Sequence, residues 1–386
     1  DERSLEFPDY ESLWRWSVDK IEDLWESIWQ FTGVHAHHPY RQVLEKRIMP
    51  GAKWFDGATL NYAEHALAYA SQPQARDKPA LVFQSELRSR TVTSWSELAR
   101  QTGAITGALG ELGVEPGDRV ASYLPNIPES VIALLAAASR GAIWSSCSPD
   151  MGPASVLDRF RQIEPRVLFA VDGYRYGGKD YDRRDTVREL VAQLPSVEAV
   201  VFIPYLDPDA QLDFGNLDGR DIKVLRFADA IEHDVRPQFT PLPFDHPLWI
   251  VYSSGTTGMP KPIVHGHGGT IIENLKGLAL HLDVGEHDRF FWFSSTSWIM
   301  WNLQVSTLLS GCTVIQFDGN PGYPDVTTLW KLAQDEGITF FGTSPAFVAL
   351  CRKDGLELAA HFDLSGIRTL GSTGSPLTAD AYEWVY

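Results

Sequence analysis

The sequence predicts an α/β fold: parallel sheets layered with helices, preceded by a tryptophan-rich N-terminal extension. Two observations carry this prediction. From about residue 115 onward, short apolar runs alternate with stretches of helical length, and repeated βα units build parallel sheets covered by helices on both faces. Ahead of them, residues 1–70 stand apart, with Trp14, Trp16, Trp25, Trp29 and Trp54.

The elements follow in order. In "LWRWSVDKIEDLWESIWQF" Trp25 and Trp29 stand at i, i+4, on one helix face, which predicts an amphipathic helix docking its aromatic side onto the body. "HAHH" (His35, His37, His38) has the composition of a metal tract, but with no Cys or carboxylate at ligand spacing nearby it reads as a surface turn. "DRVASYL" reads as a strand. "IPESVIALLAAASRG" reads as a helix, with Pro128 in its first turn and Gly141 past its end. "AIWSSCS" is a strand, "PASVLDRFRQI" a helix and "RVLFAV" a strand closed by Asp172-Gly173. The pattern resumes with "LWIVY" as a buried strand and "TIIENLKGLALHL" as a helix. "RFFWFSS" and "CTVIQF" are strands, "VTTLWKLAQDE" is a helix, and "ITFFGTS" and "IRTLGST" are strands. In such sheets ligands sit in the loops beyond the carboxyl ends of strands. Three polar loops fall there: the one after "LWIVY", "STSW" after "RFFWF" and "GSTGSP" after "RTL". They converge if their strands are neighbours.

Composition narrows the function. The chain has 386 residues, 44% hydrophobic and 22% charged, with a formal net charge of −17. That balance argues against nucleic acid or an anionic membrane as partner, since both need basic patches. A small anionic ligand remains possible where Lys, Arg or backbone N–H groups are placed locally. Cys147, Cys312 and Cys351 are far apart and lack CxxC spacing, which fits buried thiols in a reducing, cytoplasmic compartment. The first residues show no signal-peptide pattern, and they lack an initiator methionine. The longest apolar run, Val131–Ala138, is too short to span a bilayer.

The stretch "YSSGTTGMPKPIVHGHGG" (Tyr252–Gly269) is too loose and too polar for a helix or an ordinary strand. Gly255 and Gly258 permit positive φ, so that backbone N–H groups can turn toward one point. Ser253, Ser254, Thr256 and Thr257 add hydroxyl donors, Pro260 stiffens the exit and Lys261 offers a charge. Together these predict an anion cradle, most plausibly for phosphate. Neither GxxxxGK[ST] nor GxGxxG is matched. His265 and His267 either orient a carboxylate or phosphate or are plain loop histidines.

Ser253–Lys261 resembles, at every position, the pattern [ST]-[ST]-G-[ST]-T-G-x-P-K of the acyl-adenylate-forming enzymes, the acyl-CoA synthetase superfamily. "FWFSSTSWIMWN" (Phe291–Asn302) resembles its acyl-pocket segment, with Ser297 in place of a usual Gly. "LGSTGSPL" (Leu370–Leu377) resembles its adenine-contacting loop, with Ser375 in place of a usual Glu. "WFDGATLNYAEHAL" (Trp54–Leu67) is similar to a segment of the acetyl-CoA synthetase branch, and "KPIVHGHGG" and "W-x-MWN" look most like the acetoacetyl-CoA synthetases within it. The resemblance implies an incomplete adenylate-forming N-terminal domain over 71–386, with residues 1–70 packed on it and the C-terminal lid domain absent, so that the 386 residues alone are expected not to adenylate.

The implied reaction is ATP-dependent activation of acetoacetate to an acyl-AMP, then transfer to coenzyme A, with magnesium travelling on the ATP phosphates. Alternatives are a ligase for acetate, propionate or butyrate, or a non-catalytic acyl or nucleotide sensor. Carried over by motif position, Lys261 and Thr256 are catalytic. Ser253, Ser254, Gly255, Thr256, Thr257, Gly258 and Lys261 wrap the phosphates; Gly374, Ser375 and Pro376 lie against adenine. Trp298, Ile299 and Met300, with Thr373, line the acyl pocket. "DGYRYGGKDY" (Asp172–Tyr181) resembles the segment that meets coenzyme A, with Arg175 first and Lys179 next. The chemistry joins two anions, so it calls for charge neutralisation and alignment rather than a protein nucleophile.

Overall fold

The structure is a computed structural model that describes residues 5–215, 217, 219–253 and 258–386. Two large sheets organise it. Strands β1 (Pro79–Ser85), β2 (Thr91–Ser94), β10 (Arg289–Trp292), β11 (Thr313–Asp318), β12 (Phe340–Thr343) and β13 (Thr369–Ser372) form one sheet in the order β13-β12-β10-β11-β1-β2. Strands β3 (Arg119–Tyr123), β4 (Ile143–Cys147), β5 (Val167–Val171), β6 (Ala199–Ile203), β7 (Lys223–Arg226), β8 (Pro247–Ser253) and β9 (Lys261–Gly266) form the other, in the order β7-β6-β5-β3-β4-β8-β9. All pairings are parallel except β1 with β2 and β8 with β9.

The residue pattern explains the layering. A strand buried on both faces reads as a continuous apolar run. In β5 every residue of "VLFAV" is buried: Val167, Phe169 and Val171 face one core cluster, Leu168 and Ala170 another. The second cluster includes the apolar sides of helices α6 (Pro153–Phe160) and α7 (Arg184–Gln193). In β1, Leu81 and Phe83 face the central cluster while Val82 faces helices α10 (Thr328–Asp335) and α11 (Pro345–Lys353). Between the sheets, α4 (Trp95–Glu111) packs on α5 (Pro128–Arg140). The result is helices, sheet, helices, sheet, helices. Helix α5 starts on Pro128 and stops where Gly141 takes the left-handed conformation, φ 78°. No helix of the described residues is long and apolar enough to cross a membrane.

The tryptophan-rich stretch is two helices, α1 (Tyr10–Asp19) and α2 (Ile21–Phe31), broken at Lys20. Helix α1 buries no residue and leaves Trp14 exposed. The predicted docking belongs to α2: Trp29 is buried, stacks on Phe55 at 4.5 Å and on Phe244 at 6.3 Å, and Trp25 meets Trp54 edge-on. Helix α3 (Tyr62–Ala66) follows on the Asn61 cap.

Candidate active site

Strand β8 ends at Ser253 and β9 begins at Lys261, and these two residues pair across the hairpin. Ser254, Gly255, Thr256 and Thr257 lie outside the described residues. Gly258 has φ +123° and open space where a Cβ would stand, a backbone state that suits glycine. Lys261 is exposed, and its ammonium has no partner among the described residues. The expectation that Tyr252–Gly269 is irregular throughout is corrected. "KPIVHG" is the edge strand β9, and His267 opens helix α8 (His267–Lys276). Pairing with β8 satisfies the backbone there, which the Gly-rich composition conceals.

Each of the two histidines of this stretch accepts a hydrogen bond from the fold. The Trp249 indole N–H donates to His265 Nδ1 at 2.9 Å. The Tyr62 backbone N–H donates to His267 Nδ1 at 3.0 Å, and burial holds His267 down at about 3.

The three polar loops do not leave adjacent strands. Strand β8 lies in one sheet, and β10 and β13 lie in the other, separated by β12. Side chains join them instead. The Thr296 hydroxyl donates to the Leu124 carbonyl beyond β3, and the Ser146 hydroxyl on β4 donates to the Thr296 carbonyl. The Ser145 hydroxyl donates to Ile250 of β8 at 2.9 Å. Asn126, just past β3, accepts from Trp301 Nε1 at 3.0 Å and from Gln316 Nε2 at 2.8 Å. The loop after β10 is thereby fixed to the carboxyl end of the opposite sheet, beside β8.

Trp298 stands at the N-cap position of helix α9 (Ile299–Ser306). A Cβ added at Gly374 would come within 3.8 Å of its ring, so the segment predicted to bind the acyl group lies beside the loop predicted to bind adenine. Trp298, Met300 and Thr373 are half-buried and Ile299 is exposed. The Ser295 and Ser297 hydroxyls are 3.0 Å apart. Ser375 and Pro376 are exposed and line a cavity of about 1470 Å³ with Trp330, Leu370, Tyr382 and Trp384. That cavity does not include Trp298 or Lys261. Its size therefore says nothing about the acyl pocket.

Arg175 and Lys179 sit on a two-stranded hairpin, Gly173–Tyr176 against Lys179–Asp182. Arg175 donates from Nε at 2.5 Å and Nη2 at 3.0 Å to the Asp180 carboxylate opposite it. Its charge is thus largely answered within the hairpin, whereas Lys179 is exposed with no ion pair among the described residues. The hairpin tip is held by Glu86, which accepts from the N–H groups of Gly177 at 2.9 Å, Gly178 at 2.7 Å and Asn320 at 2.7 Å. Nothing in the pattern around Glu86 marks this role.

Near Glu86, the Tyr205 hydroxyl donates to Asp318 Oδ2 at 2.8 Å. Desolvation, with the Glu86 and Asp150 charges, pushes the Asp318 carboxyl up to about 7. A raised carboxyl pKa means that the folded state binds the proton more tightly, so stability falls as pH rises from about 4 through 7. Part of Asp318 still meets solvent, which moderates the effect. Asp318→Asn is expected to leave stability unchanged near pH 4 and to raise it by about 1–2 kcal/mol at pH 8. Urea unfolding at both pH values checks this; equal effects at both would remove Asp318 as the titrating group.

Comparison with known proteins identifies the family. The family model described as AMP-binding enzyme matches residues 68–386, and that described as Acetyl-coenzyme A synthetase N-terminus matches residues 10–66. Acetoacetyl-CoA synthetase of Danio rerio is 40% identical over 100% of this chain and 57% of its own length. Acetoacetyl-coenzyme A synthetase of Rhizobium meliloti (strain 1021) is 38% identical over 98% of this chain and 57% of its own length. The solved acetoacetyl-CoA synthetase from Streptomyces lividans superposes with a TM-score of 0.93 at 48% identity, covering 99% of this chain and 57% of that one. The chain therefore spans 57% of the length of these relatives. With one family model running unbroken from just after helix α3 through the Lys261, Trp298 and Gly374 loops, the chain belongs to the AMP-binding enzyme family.

Proposed function

We propose that these residues are the acid- and nucleotide-binding part of an acetoacetate–CoA ligase. The reaction joins acetoacetate to AMP at the expense of ATP, then passes the acyl group to coenzyme A. The observation that supports it best is the closeness of Trp298 to Gly374, where an added Cβ would come within 3.8 Å of the indole ring. It sets an apolar wall for a short acyl chain against the loop proposed for adenine, with the Ser295 and Ser297 hydroxyls nearby as donors for a polar acid. Likeness to acetoacetyl-CoA synthetases along the whole chain selects the acid.

The groups present suit these substrates. Lys261 offers an uncommitted positive charge beside Ser253, and Gly258 leaves room for close backbone approach. In this reading Lys261 and segment 253–258 neutralise the outer phosphates and hold them in line, while Trp298, Ile299, Met300 and Thr373 seat the acid. Gly374, Ser375 and Pro376 carry the adenine. Magnesium enters on the ATP phosphates, with no protein ligand assigned. The test is pyrophosphate release by the full-length protein with ATP, magnesium and coenzyme A across acetate, propionate, butyrate and acetoacetate. Preference for acetoacetate is expected. Preference for another acid would keep the chemistry and overturn the substrate, and silence with all four would favour a sensor.

The hairpin at Arg175 and Lys179 is proposed to meet the phosphates of coenzyme A. Since Asp180 already engages Arg175, Lys179→Ala is expected to raise the KM for coenzyme A about threefold to tenfold with kcat unchanged. Asp180→Asn is expected to lower that KM. A Lys179→Ala enzyme with wild-type KM would remove this hairpin from the cofactor's path.

A further inference from the structure

The histidine tract after helix α2 has a partner that its local sequence does not show. His37 Nε2 lies 2.8 Å from Glu64 Oε2, and one ligand atom each from His35, His37 and Glu64 lie within 4.8 Å of one another. Glu64 is 27 residues from His37, beyond any local ligand spacing, which is why the tract reads as a plain surface turn. We infer that His35, His37 and Glu64 form a binding site for one divalent transition-metal ion of the zinc class, clamping the turn after α2 onto helix α3.

The donor set fits that ion. Two imidazole nitrogens and one carboxylate oxygen are borderline ligands that favour zinc over magnesium or calcium, and three protein ligands leave a fourth position for water. Tetrahedral zinc with bonds of about 2.0–2.1 Å needs ligand atoms roughly 3.3 Å apart. The His37–Glu64 pair is already that close, and a ring nitrogen of the exposed His35 lies within 4.8 Å of both.

The backbone under each ligand is fixed before any metal arrives. The His35 N–H donates to His65 Nε2 at 3.1 Å, and His65 Nδ1 in turn donates to the Asn61 carbonyl at 2.8 Å. The His37 N–H donates to the Thr59 carbonyl at 2.8 Å. Glu64 rides on α3, whose Asn61 cap is tied to the body through the Ala138 and Ser139 carbonyls. Little ordering is left for the ion to impose, and such preorganisation favours binding. His38 stands outside the set, its Nδ1 bonded to the His37 carbonyl at 2.9 Å.

The experiment uses the untagged protein, stripped with a chelator and titrated with zinc chloride by calorimetry, with cobalt(II) absorption as a second readout. One zinc per chain is expected, with a Tm rise of roughly 3 °C at a hundredfold excess over Kd. Stoichiometric binding should vanish in His37→Ala and in Glu64→Gln and persist in His38→Ala. Circular dichroism without metal reports folding; if His37→Ala fails to fold, Glu64→Gln decides. Absence of stoichiometric uptake, or equal uptake by wild type and Glu64→Gln, would reduce the cluster to a hydrogen-bonded His37–Glu64 pair and overturn the inference.

Discussion

Lys261→Met in the full-length protein is expected to cut pyrophosphate release by about 100-fold or more while leaving Tm within about a degree of wild type. The two halves of that expectation come from one observation. Lys261 is exposed at the first position of edge strand β9, and no described residue answers its charge. A side chain that holds nothing in the fold can be removed at little structural cost. A lysine that meets charge building on transferring phosphates is worth far more, because a charge already in place costs no reorganisation during the reaction. If the interaction strengthens as the reaction proceeds, kcat and kcat/KM fall together; if it serves only binding, the KM for ATP rises alone. A Lys261→Met enzyme with wild-type turnover and wild-type KM for ATP would take the residue out of the site. Arg would restore the charge but not the compact ammonium, so Lys261→Arg should recover only part of the rate.

Much of the scaffold was legible because its signals are local. The apolar run of β5 is continuous because both faces are covered, and helix α5 carries its own start at Pro128 and stop at Gly141. Trp25 and Trp29 were readable as a docking face because helical spacing is itself the signal. What was not legible is what depends on pairing across the chain. Strand order assigns β8 to one sheet and β10 and β13 to the other, and no periodicity carries that information. The polar ties that reunite their loops are single residues, Ser146, Thr296 and Asn126, each bonded to a distant element. Strand β9 was hidden by glycine and proline, which local propensity counts against a strand and an edge position tolerates. The pairing of Arg175 with Asp180 was not legible because the two become opposite only when the hairpin closes. Glu64 beside His37 is the same lesson at longer range.

Asn61→Ala is expected to destabilise the protein by about 3 kcal/mol, a fall in Tm of roughly 4 °C. Asn61 is fully buried and bonded in two directions. Its Oδ1 accepts from the Ala63 N–H at 2.9 Å, capping α3, and losing a cap costs about 1 kcal/mol. Its Nδ2 donates to the carbonyls of Ala138 at 2.9 Å, Ser139 at 3.2 Å and Thr240 at 3.0 Å, and these lost bonds supply the remainder. The residue thus joins α3 to the end of α5 and to the segment leading into β8. Asn61→Asp separates the two directions. The carboxylate keeps the cap acceptor but turns an anion toward carbonyl oxygens in a buried space, so its pKa must rise. At pH 7 Asn61→Asp should therefore be less stable than Asn61→Ala, although it is the closer isostere. Because the folded-state pKa is raised, the deficit should shrink as pH falls toward 4. Should the aspartate variant instead match wild type at pH 7, the donor side of Asn61 contributes nothing, and α3 is held to the body by apolar packing and by the bonds of Tyr62 to His267 and Ser306.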